Sequence, residues 1–270
     1  MNPPIHRLAE PWREIKRKFC LIMKLMNPLI GVSTLCFYYW ADNSKWMTEQ
    51  LRIIDILRKH VTRLELYFGV EDILACNDKT LGEYADRIDG SKCSLHLPSF
   101  SDDIKDIEIL IGKTREIVNK LSIEYCVLHA DEYVLLNLKV FDIKLGLRFG
   151  LENSDIRKFG FQHLRDLQMF DLPVVLDVDH IEELKSGSLD EEMTTLHNSI
   201  LGIHFSTPHS SYFDSFPEIK TTHFPFARSG SPLPKNLPKN VPIVVEGVIP
   251  QNGEALLEEE ISLIKNNYFQ

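Results

Sequence analysis

Eight short apolar runs recur along the chain, and the stretches between most of them carry helical patterning. The runs are 29–37 (LIGVSTLCF), 61–68 (VTRLELYF), 93–97 (CSLHL), 124–129 (EYCVLH), 145–152 (LGLRFGLE), 173–179 (PVVLDVD), 199–205 (SILGIHF) and 241–248 (VPIVVEGV). Such runs suit strands buried on both faces, the environment of parallel strands joined by helical crossovers. Between the first two runs, Trp46, Met47, Leu51, Ile54 and Leu57 fall at helical spacing and predict a helix over 44–60. A polar, helix-capable segment leads to about 88. An amphipathic helix is predicted over 102–121, with Asp102 or Asp103 placed to cap it, and a short one over 134–144. Ser154 is an N-cap for a helix to 170, 180–198 is helical in parts and broken at Gly187, and 253–265 is a last helix, acidic in its first half as the dipole favours. Residues 206–240, rich in Ser and Pro, are expected to form an active-site loop or lid.

Eight buried strands alternating with helices predict an α/β fold, a (β/α)8 TIM barrel, which fits one domain of about 250 residues. The expected domain is 28–270, preceded by a poorly ordered extension over 1–27. That extension pairs a basic stretch at 13–18 (REIKRK) with a short apolar run at 19–23, which Lys24 interrupts. No run approaches the roughly 20 uninterrupted apolar residues of a membrane span, so no membrane partner is expected. The formal charge of -9 offers no footprint for non-specific nucleic-acid binding, although a bound cation would supply positive charge locally. The five cysteines form no CxxC pair and read as reduced thiols of a cytoplasmic protein.

The chemistry lies where the runs end. In such a barrel all C-terminal strand ends open on one mouth. Strands three to eight would bring His96, His129, Glu152, Asp177, His204 and Glu246 there, with His180 three residues past Asp177 and His223 in the long loop. Singly, each has a plainer reading: a hydrogen-bonded rim histidine, a helix cap at Asp177, an ion pair of Glu152 or Glu246 with Arg148 or Lys239. Six consecutive strand ends carrying only ligand-type residues point to divalent metal, with imidazole and carboxylate mixtures suited to zinc, manganese or iron. Several carboxylates able to bridge allow more than one ion.

These motifs resemble the xylose isomerase-like barrels, which include endonuclease IV-type apurinic/apyrimidinic endonucleases (AP endonuclease family 2) and sugar or sugar-phosphate isomerases and epimerases. The resemblance covers about 29–266. It rests on His-Leu-Pro at His96, Leu-His at His129, Glu-Asn at Glu152, Asp-x-x-His at Asp177 and His180, Ile-His at His204 and Val-Glu at Glu246. It implies one to three divalent ions per chain, zinc first. One would be held by Glu152, Asp177, His204 and Glu246, a second by His96 and His129 with Glu152 bridging, a third by His180 and His223 with an acid two residues before the latter. That position is Thr221 here.

The activity the resemblance implies is phosphoester hydrolysis by a metal-bound hydroxide, with Glu152 and Glu246 as catalytic carboxylates. The alternative is a one-metal isomerase or epimerase in which the same two glutamates exchange protons at carbon. Glu65, near the end of strand two, is similar to the isomerase branch. Substrate contacts are expected from His180, from Trp40 in the cluster Phe37 to Trp40, and from Phe100, next to the place of a DNA-contacting aromatic. The partner is then a small phosphorylated or sugar substrate, or damaged DNA. A reading from another class is a non-catalytic barrel that binds a metal or a protein partner.

Overall fold

The computed structural model describes residues 29–99, 107–130, 146, 148–154, 163–181, 196, 200–216, 219, 221 and 223–269. The expected extension 1–27, Phe100, the expected caps Asp102 and Asp103, the predicted helix 134–144, all of 155–162 and most of 182–199 lie outside the described residues.

The strands are β1 (Ile30–Ser33), β2 (Arg63–Tyr67), β3 (Lys92–His96), β4 (Tyr125–His129), β5 (Phe149–Glu152), β6 (Val174–Asp177), β7 (Ile200–Phe205) and β8 (Ile243–Val245). All pair in parallel in chain order, and β1 closes on β8 through Ile30 opposite Ile243, so the sheet is a complete barrel. The helices among the described residues are α1 (Trp46–Leu57), α2 (Val70–Ala75), α3 (Asp78–Ile88), α4 (Ile107–Leu121) and α5 (Glu254–Tyr268). Several expectations shift. The eighth strand, expected over 241–248, is confined to Ile243–Val245, and the described end of the helix expected to 170 is a 3-10 helix over Leu164–Phe170. The first strand ends four residues early, because Ser33 Oγ accepts the Leu35 N–H and starts a 3-10 turn over Thr34–Trp40. The polar segment before β3 is two helices, the second capped by Asn77, which accepts from the Thr80 N–H at 3.1 Å.

Side-chain alternation along each strand divides the molecule into two layers. Leu64, Leu66, Cys93, Leu95, Cys126, Leu128, Leu151, Leu176 and Val245 belong to the large apolar core that also contains the helices' buried faces. Residues of opposite parity, Tyr125, Val127 and Val175, join Leu201 in a small separate cluster, the filling of the barrel itself. The register slips between Val174 and Val175, which pair with Ile200 and Gly202, so Leu201 is an extra residue. Beyond the slip Asp177 lies opposite His204. Gly202 is needed here because a Cβ would come within 2.9 Å of the Tyr125 hydroxyl.

The inward parity also selects the residues that end the strands. Glu65 and Tyr67 share it on β2, Ser94 and His96 on β3, Val127 and His129 on β4. A strand that is apolar on its outer face therefore delivers polar groups to the mouth at no cost to the outer core.

Candidate metal centre

His96, His129, Glu152 and Asp177 are the last residues of β3 to β6, His204 is next to last in β7, and Glu246 follows β8 directly. All six meet at the mouth. His204 is fully buried, with Nδ1 3.0 Å from Glu152 Oε1 and 3.2 Å from Glu246 Oε2. The other oxygen of Glu152 faces His96 Nε2 at 3.3 Å and His129 Nε2 at 3.1 Å. One donor atom from each of Glu152, Asp177, His204 and Glu246 falls within a 4.8 Å group, as do those of His96, Glu152 and His204.

A third group is Asp177, His180 and His223. Asp177 Oδ2 lies 3.6 Å from His180 Nε2 and 3.9 Å from His223 Nδ1, and Asp179 Oδ2 lies 3.7 Å from the latter. These separations exceed hydrogen-bond length and suit ligand atoms spread around an ion. Thr221 offers no acid; its hydroxyl accepts the His223 N–H at 3.0 Å. Asp179, two residues past Asp177 at the exit of β6, adds a second carboxylate beside this group through His223.

The donor set fits divalent metal on its own chemistry. Asp177 Oδ2 is buried without a hydrogen bond, which is costly unless a cation meets it. Asn153 holds the β6 end in place, accepting the Asp177 N–H at 2.6 Å and donating to the Asp177 carbonyl at 3.0 Å. Charge coupling is strong. Burial lowers the proton affinity of His96, but the Glu152 contact and the charges of Glu65 and Glu246 outweigh it and lift it to about 9. His204 is raised in the same way against its burial by Glu246, Glu65 and Glu152. Burial pushes Asp177 up to about 7, with His223 and His180 opposing. Burial would also raise Glu152, but His204 and His129 hold it well below the carboxylate range.

Above the donors is a cavity of about 370 Å³. Its lining includes Leu35, Tyr38, Tyr39 and Tyr67 on one side and His96, His129, Glu152, His180, His223 and Glu246 on the other. The aromatic wall is thus built from the neighbours of Trp40. Trp40 itself packs partly buried against the outer core. Tyr67, a wall residue not singled out from sequence, has the inward parity of Glu65. Its hydroxyl is raised by burial, then by Tyr38 and Asp72.

Neither protein-family models nor curated protein sequences give a match to this chain. Solved structures do. Endonuclease IV from Thermus thermophilus superposes with a TM-score of 0.55 at 14% identity, covering 88% of this chain and 100% of that one. The TTHB071 protein of the same organism, from a zinc chloride soak, gives 0.53 at 15% identity over 88% and 98%. An uncharacterized protein from Parabacteroides distasonis gives 0.54 at 12% identity over 87% and 95%. At these identities the likeness establishes the fold, a (β/α)8 barrel.

Proposed function

We propose that this chain is a divalent-metal-dependent phosphoester hydrolase. The observation that carries the reading is the way Glu152 divides its carboxylate, one oxygen toward His96 and His129 and the other toward His204. A carboxylate shared in this manner would serve two neighbouring cation sites. Glu152, Asp177, His204 and Glu246 would hold one ion, and His96, His129 and Glu152 another. A single-ion isomerase does not require the His96–His129 pair. Zinc suits the mixture of imidazoles and carboxylates. When bound, such ions lower the pKa of water and offset charge gathering on phosphoryl oxygens.

The chain's own residues do the rest. Glu152 and Glu246 face the reacting space and orient what binds there. His180 and His223, backed by Asp177 and Asp179, stand at the side of the cavity and fit either a third ion or a substrate phosphate. Tyr38, Tyr39 and Tyr67 exclude water and give a sugar or base a face to stack on. The inferred substrate class is a damaged-DNA or small phosphorylated ester; the endonuclease IV neighbour supports the first at the level of fold. The buried, free Cys36, Cys76, Cys93 and Cys126 suit a reducing cytoplasm. No helix among the described residues is long and apolar enough to cross a membrane.

One observation favours a sugar isomerase or epimerase instead: the cavity lining contains no lysine or arginine among the described residues. In that reading Glu152 and Glu246 exchange protons at carbon beside one ion. Elemental analysis of the purified protein separates the two, followed by assay on an abasic-site duplex, small phosphoesters and a ketose panel. Two or more ions per chain are expected, with loss of about one ion and of phosphoester cleavage in His96→Ala. One ion per chain, with full metal content and activity in His96→Ala, would overturn the hydrolase reading.

A further inference from the structure

Glu65 belongs to none of the ligand groups above, yet it is fully buried against the most enclosed imidazole of the centre. His204 Nε2 lies 3.2 Å from Glu65 Oε1 and 3.3 Å from Glu65 Oε2, while Nδ1 faces Glu152 and Glu246. We propose that Glu65 is a positioning residue that takes the Nε2–H of His204 and thereby aims the Nδ1 lone pair into the space shared by Glu152 and Glu246. This rests on the metal-centre reading and adds to it a residue that touches no ion.

A neutral imidazole carries one ring proton. Both ring nitrogens face carboxylate oxygens; with a cation held on the Nδ1 side by Glu152 and Glu246, a proton left on Nδ1 would meet the ion while the Nε2 lone pair faced Glu65 without compensation. With the proton on Nε2, the same contact becomes a charge-assisted hydrogen bond, and the nitrogen facing the ligand carboxylates is free to bind a cation. Glu65 lies on the far edge of the ring from Glu152 and Glu246, so it orients the ligand and does not join its ion.

Glu65 is itself held in place. Ser94, its register partner on β3, donates to Glu65 Oε2 at 3.0 Å. Rigid strands carry every member: β2 brings Glu65, β3 Ser94 and β7 His204. A buried carboxylate behind a metal-binding histidine fixes its tautomer and raises its basicity, and losing it weakens metal affinity about 10–100-fold.

The test is a cobalt(II) titration of chelator-stripped wild type, Glu65→Gln and Glu65→Leu, each checked for folding by circular dichroism, with ¹⁵N-imidazole NMR of the zinc-loaded protein. The wild type should load, and His204 should carry its proton on Nε2. Glu65→Leu should reach the same ion count at saturation with about 10–100-fold weaker affinity, and Glu65→Gln should fall between. An affinity for Glu65→Leu within about twofold of wild type, against the loss expected for a lost orienting partner, would overturn the assignment. So would a His204 proton on Nδ1. Where Glu65→Leu does not fold, Glu65→Gln decides in the same terms. A wild-type chain that takes up no cobalt overturns the metal reading and this inference together, an outcome distinct from normal loading with an indifferent Glu65.

Discussion

His96 and His204 sit where burial alone would strip their protons, and the surrounding carboxylates reverse that. In the metal-free protein His96 holds a proton up to about pH 9, against 6.5 for a free imidazole. Its contribution to stability is fully present below pH 6.5 and is lost as pH rises through 9. Asp177 acts in the same direction at lower pH. Its carboxyl is raised from 3.8 to about 7, so the folded chain binds the extra proton and loses stability across that window as pH rises. The melting temperature of the chelator-treated protein is therefore expected to fall steadily between pH 4 and pH 9, as read by calorimetry. Cations must displace the imidazole protons, so zinc binding at pH 7.5 should release protons, measured by titration calorimetry in buffers of differing ionisation enthalpy. A pH-independent melt in chelator, with no proton release, would contradict the coupling. Glu152→Ala removes the carboxylate shared by both principal donor sets. It should empty both and lower turnover by about 10²–10³-fold or more.

The element that brings His223 to the mouth is the long connection between β7 and β8, and it is fastened along its length. Thr207 and Phe224 pair as an antiparallel bridge. Val248 donates its N–H to the His223 carbonyl at 3.0 Å. On the outer side, Glu260 of α5 accepts the Phe226 N–H at 3.0 Å and the Ala227 N–H at 2.6 Å. Glu259 takes Arg228, and Tyr268 donates to the Pro234 carbonyl at 2.7 Å. The loop expected from composition to be an active-site loop or lid thus brings His223 to the cavity while tied to the last helix. Burial raises the Glu260 carboxyl to about 7 against the two N–H bonds, which marks it as enclosed. Glu260→Ala leaves two buried N–H groups unpaired and should destabilise the fold by about 2–4 kcal/mol, measured by urea unfolding. Glu260→Gln keeps one acceptor and should cost less. An unchanged midpoint in Glu260→Ala would show that the tether carries no load.

Across the whole molecule, closure of the barrel places the carboxylates Glu65, Glu152, Asp177, Asp179 and Glu246 in one buried region with His96, His129, His180, His204 and His223 close by. A ligand that binds only the folded chain stabilises it by about 4 kcal/mol at a thousandfold excess over its dissociation constant. For a chain somewhat above 250 residues this is about 10 °C in melting temperature. Chelation should lower the melting temperature by that order and added zinc should restore it. A chelator-insensitive melt would mean that the buried charges balance without a cation.

The strand order, the barrel, and the strand ends that carry the candidate donors were readable from the chain, because inward and outward parity leaves a period of two that ends in His, Asp or Glu. Glu65 was visible only as an acid near a strand end, since its partner His204 is 139 positions away. The division of Glu152 between two imidazole sets, the approach of Asp179 to His223, and the replacement of Trp40 by Tyr38 and Tyr39 at the cavity wall came from tertiary structure. Each depends on which strands become neighbours when the barrel closes and on how one turn after β1 rotates its aromatics. Local patterning sets which side of a strand a residue takes; only packing sets what stands opposite.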